Sequence, residues 1–140
     1  MIYEMKLDAV SFENIVSGRK TVELRLFDSI QKQFNIGDKI VFEALGNKEK
    51  RSAVVIKSLH RYATFEDLFM DIPFEKCGIA NTNSPHDAAT KMNKYYTKEK
   101  ISRFGVIGIE IKLINLERVL IDIGKQKETE FERFFPDGVK

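Results

Sequence analysis

The stretch SGRKTVELR, Ser17 to Arg25, decides how the chain is read. Val22, Leu24 and Leu26 alternate with Thr21, Glu23 and Arg25, so a strand of period two presents one apolar and one charged face. Lys20 stands at the mouth of that strand, behind a turn containing Gly18 and Arg19. A face that mixes acid and base fits two readings: a solvated surface whose ion pairs contribute little, or the floor of a binding cleft. For a cleft the residue types are apt. Lysine brings a mobile point charge to a phosphate or a base carbonyl, and arginine brings a planar fork. Glu23 either holds those cations in place or accepts from an exocyclic amine of a ligand.

Working outward, Ile2 to Leu7 reads as a strand. Ser11 is placed to cap a short helix carrying Phe12, Ile15 and Val16, with Gly18 as its left-handed end. On the other side, the Gly37-Asp38 turn leads into a strand with Ile40, Phe42 and Ala44 alternating. Gly46-Asn47-Lys48 predicts a hairpin into a strand from Ser52 to Arg61, with Val54, Ile56 and Ser58 on one face and Val55 and Leu59 on the other. Thr64, with Asp67 three residues on, opens a helix whose stripe is Phe65, Leu68 and Phe69, ended near Pro73. Ser84-Pro85 starts a second helix running to about Tyr95, and Thr97 begins a further short turn. Gly105 precedes VIGIEIKLI, where Ile107, Ile109, Ile111 and Leu113 share a face and Glu110 and Lys112 point away. The tail holds a strand candidate near Val119 to Ile123, then a charged run and a Phe131, Phe134 and Phe135 cluster. This order lacks regular strand–helix–strand alternation. It predicts an α+β fold, a mixed sheet closing toward a barrel with flanking helices.

The chain of 140 residues is long enough for one domain with a sizeable core. A net charge of +2 is too small to demand a nucleic-acid partner from bulk electrostatics, so the location of the charges must carry that case. Cys77 is the single cysteine, which excludes an intrachain disulfide and a Cys-based zinc cluster. His60 and His86 lack metal-ligand spacing, so no metal or cofactor is expected. The N-terminal stretch carries scattered charges and no long apolar run; neither a leader nor a membrane span is expected, and a cytoplasmic location follows by default.

Gly18, Lys20, Glu23 and Arg25 match the Gly-x-Lys-x-x-Glu-x-Arg signature of ASCH domains, which the chain resembles from about Met5 to Ile114. The flanking strand and helix, the Gly37-Asp38 strand and the closing FGVIGIEIKLI follow in the family's order. The resemblance implies a small PUA-like β-barrel, residues 1–115; residues 116–140 lie outside it and are expected as a C-terminal extension packed on the same domain. It also implies a cleft bordered by the signature and a role with RNA or a nucleotide-like ligand. Some relatives resemble enzymes, including a hydrolase of N4-acetylcytidine and an RNA-cleaving protein. This sequence departs from that hydrolase branch: Glu23 occupies the place of its threonine nucleophile, and Asn81 to Ser84 offers no match to its later glutamate.

The expected site therefore comprises Lys20, Glu23 and Arg25, with Lys20 and Glu23 as an acid–base pair if the protein is an enzyme. Lys91, Lys94, Lys98, Lys100 and Arg103 surround Tyr95-Tyr96, a pattern suited to phosphate contacts with base stacking or equally to a solvated helix face. Tyr96 is taken as the exposed, ligand-facing member. Cys77 reads as packing, and the phenylalanines at 65, 69 and 74 as core. An interaction module using the Phe131 to Phe135 tail is a third reading.

Overall fold

The computed structural model describes the backbone of residues 1–134 and the side chains of residues 1–127. Five strands form one sheet: β1 (Ile2–Leu7), β2 (Val22–Leu26), β3 (Lys39–Ala44), β4 (Asn47–Tyr62) and β5 (Val106–Ile114), in the order β1-β3-β4-β5-β2. β1 runs parallel to β3 and every other pairing is antiparallel, so the sheet is mixed. β4 is long enough to pair with β3 through its first half and β5 through its second, and the sheet curls into a half-barrel around it. The two edge strands, β1 and β2, come within reach of each other: Arg25 Nη2 donates to the Lys6 carbonyl at 3.2 Å.

Three apolar clusters hold this shape. Phe42, Ile40, Val54, Ile56, Ile107 and Ile109 fill the concave side. Helix α1 (Ala9–Val16) links the two edges and drops Phe12 and Ile15 into that side. Its cap is Asp8, which accepts from the Ser11 amide at 2.8 Å, in place of Ser11 itself. Outside β2 and β5, helices α2 (Phe65–Asp71) and α3 (Pro85–Lys91) cover Val22, Leu24, Leu26 and Val106. α3 is shorter than predicted; a 3-10 turn takes over at Met92–Lys94, and α4 (Lys98–Phe104) follows.

Two expectations are corrected. An extra residue, Lys57, bulges from β4 between Ile56 and Ser58, which reverses the alternation and places Leu59 on the concave core with Val54 and Ile56. Val119 to Ile123 is helical: α5 runs from Leu116 to Phe134, capped by Asn115 Oδ1 accepting from the Arg118 amide at 2.9 Å. Leu116, Val119 and Ile123 recur at helical spacing and cover Val41 and Ala53 on the convex face. The phenylalanine cluster at 131, 134 and 135 lies outside the described side chains. Among the described residues no helix is long and apolar enough to cross a membrane.

Candidate functional site

Both faces of β2 are buried. Its apolar residues go outward under α2 and α3, while Glu23 lies opposite Ile109 and Arg25 opposite Ile107, on the concave side. Glu23 is therefore only 3% exposed and Lys20 8%, which excludes the solvated-surface reading for this pair. Lys20 Nζ lies 2.9 Å from Glu23 Oε1, and that oxygen also accepts from the Leu24 amide at 3.0 Å. Glu23 Oε2 accepts from Arg25 Nη2 at 3.2 Å. One carboxylate is thus shared between two cations.

The surrounding chain positions Lys20 closely. Its amide donates to the Asn14 carbonyl at the end of α1, and the Thr21 amide donates to the Lys76 carbonyl. Gly78, left-handed at φ +77°, lies over the lysine stem; a Cβ there would sit 3.1 Å from Lys20 Cδ.

Lys20, Glu23 and Arg25 line a cleft of about 640 Å³. The end of β1 and α1 border it, as do Cys77 to Ile79 and the segment from Met92 to Tyr96. Lys6 and Lys94 add two further cations, and Asp8 is the second carboxylate, so positive charge is in excess. Tyr95 and Tyr96 both line the cleft, with the expected exposures exchanged. Tyr95 is the open one at 61%, whereas Tyr96 is half-buried and stacks on Phe65 at 5.9 Å between ring centroids. Burial pushes the Tyr96 hydroxyl above its ordinary range, against a smaller opposing pull from Arg25.

Cys77 is buried beside this site, and desolvation pushes its thiol up to about 12, so it is a neutral packing group at neutral pH. The predicted basic cluster separates. Lys94 reaches the cleft, Lys91 Nζ clasps the carbonyls of Ala80 and Asn81 at 2.6 and 2.8 Å, and the basic residues of α4 stay outside the cleft lining. His60 lies outside the cleft lining, in a cross-strand group where Ser58 Oγ contacts His60 Nε2 at 2.9 Å and donates to Glu110 Oε2 at 2.6 Å. The Ser58 hydrogen bond holds the Glu110 carboxyl below its ordinary range. Among the described residues no cluster of His, Cys, Asp and Glu could hold a metal ion. Gly78 and the Lys6 carbonyl escaped the sequence reading, because each is defined by a backbone placement.

A curled mixed sheet with flanking helices defines an α+β protein of the PUA-like class. Comparison with known families makes this specific: the ASCH domain model matches residues 5–115, and the chain belongs to that family. A crystal structure of hypothetical protein PH0355 is similar at 30% identity, covering 81% of this chain and all of that one, with a TM-score of 0.71. Protein PF0455 from Pyrococcus furiosus, solved by NMR, is similar at 28% identity, covering 82% of this chain and 99% of that one, with a TM-score of 0.66. The ASCH protein from Zymomonas mobilis shares the fold at 13% identity, covering 81% of this chain and 73% of that one, with a TM-score of 0.52. No protein of curated function matches the sequence.

Proposed function

We propose that this protein binds RNA or a nucleotide-like ligand in the cleft floored by Lys20, Glu23 and Arg25. The observation that carries the reading is the buried Lys20–Glu23 pair with Arg25 closing on it. Burying the Lys20–Glu23 pair, with the part-exposed Arg25 closing on it, costs desolvation that aliphatic side chains of similar size avoid, so stability does not account for it. A ligand does. Lys20 donates to Glu23 and to no other described group, which leaves two of its three N–H donors for phosphate or a base carbonyl. Arg25 braces the site through Lys6 and Glu23 and has its Nε and Nη1 donors to spare.

Glu23 already accepts from Lys20, Leu24 and Arg25. Its role is to hold the two cations, and little acceptor capacity remains to read an amine. The exposed Tyr95 ring and Tyr96 at the cleft wall supply aromatic contact for a base.

The test uses the protein and its Lys20→Met variant, which keeps the stem that packs on Gly78. Each is incubated with cellular RNA and a panel of modified nucleosides, and retention and products are followed by mass spectrometry. The expected result is retention by the wild type that the folded variant loses. Equal retention by both overturns the cleft assignment. A product that depends on Lys20 would instead make Lys20 and Glu23 an acid–base pair in an enzyme acting on RNA or a modified nucleoside.

A further inference from the structure

Beyond the cleft, on the same concave side, a second group of cations gathers over an aromatic ring. Arg61 Cζ lies 3.7 Å from the Phe27 ring centroid, the distance of van der Waals stacking, and Lys32 Nζ lies 5.8 Å from the same centroid. Arg61 and Lys32 are both exposed, and neither side chain has an ion pair or hydrogen bond among the described residues. Asp28, next to Phe27 in the chain, turns Oδ1 to the amides of Ile30 and Gln31 and forms no ion pair with either cation. Two like charges lie on one ring, and neither is ion-paired to a carboxylate among the described residues, so together they form a place for an anion. The guanidinium has one face against Phe27 and its other side open, which suits a stacked base.

The register ties this group to the cleft. Arg25 and Arg61 flank Ile107 from the two neighbouring strands, so their Cα atoms are roughly 10 Å apart across the sheet. Phe27 continues the row of Glu23 and Arg25 and packs on the concave core. A line of cations thus runs from Lys20 through Arg25 to Arg61 and Lys32.

We propose that Arg61, stacked on Phe27 beside Lys32, is a second nucleotide subsite, so that the ligand is a single-stranded RNA that places one nucleotide in the cleft and stacks a neighbouring base on Arg61. This rests on the nucleotide reading of the cleft and extends it from one nucleotide to a chain.

The test titrates nucleoside monophosphates, a short mixed-sequence single-stranded RNA and its duplex into the wild type and the Arg61→Ala, Arg61→Lys and Lys20→Met variants. Arg61→Ala should weaken the single strand about tenfold, the loss of one stacked base, and leave the monophosphates unchanged. Arg61→Lys should recover the salt dependence but not the affinity. Circular dichroism establishes that each variant is folded; Arg61 is exposed, so its removal leaves the core intact.

Single-strand binding that responds to Lys20 but not to Arg61 overturns the subsite and leaves the cleft reading standing. Full recovery by Arg61→Lys, or equal binding of the duplex, also overturns it. Binding of none of the probes overturns the cleft reading and the subsite together.

Discussion

At the residue scale, Glu23 is the keystone of the site, since both cations close on its carboxylate. Replacing Glu23 with Gln leaves the buried Lys20 and the part-exposed Arg25 without their shared carboxylate and should cost about 3 kcal/mol in urea unfolding. Lys20→Met should cost less, because Arg25 and the Leu24 amide still satisfy the carboxylate. The reverse order would refute the keystone role. Cys77 gives a pH-dependent prediction. Its folded thiol is raised from the ordinary 9.0 to about 12, so its contribution to stability is complete below pH 9 and is lost as pH rises toward 12. Unfolding of the wild type and of Cys77→Ala at increasing pH should therefore converge above pH 9, and a constant difference would count against it. The signature residues were legible as a pattern in the sequence. Their burial was not, because strand alternation says which residues share a face but not what covers it.

At the element scale, the approach of α2 to the sheet depends on Gly108. A Cβ there would lie 3.3 Å from Ile72, Leu68 and Val22. Gly108→Val forces the helix off β5 and should destabilise the fold by about 2 kcal/mol, read by thermal melting, whereas an unchanged melting temperature would mean that the interface yields freely. Strand and helix starts were legible where a local signal existed: Thr64 and Ser84 accept from the amides three residues on, as their capping patterns predict. The bulge at Lys57 left no local signal, since the pairing with β5 decides it. The apolar run from Val119 to Ile123 fits a strand or a helix equally by composition. Contacts of Leu116, Val119 and Ile123 with the convex face select the helix.

At the scale of the whole molecule, the body divides labour between its two faces. The concave face with its closing helix holds the charged site, and the convex face is sealed by α2 and α3 on one part and α5 on another. Among the described residues, α5 supplies none of the cleft lining. We expect truncation after Asn115 to lower the melting temperature by uncovering Val41 and Ala53 while leaving ligand affinity in the cleft unchanged. Loss of affinity in a folded truncated protein would show instead that the C-terminal segment belongs to the site.

The sequence by itself determined the local vocabulary: the strand periods, the turn glycines, the helix starts, the signature and the family to which these belong. Those properties follow from steric preferences and short-range hydrogen bonds, which neighbouring residues settle among themselves. The tertiary structure alone decided that the charged face of β2 is an interior one. It also decided that the edge strands meet through Arg25, and that Arg61 comes to rest on Phe27 across the sheet. Each of these depends on the curl of the sheet, a sum of pairings between segments far apart in the chain, and no stretch of sequence encodes such a sum locally.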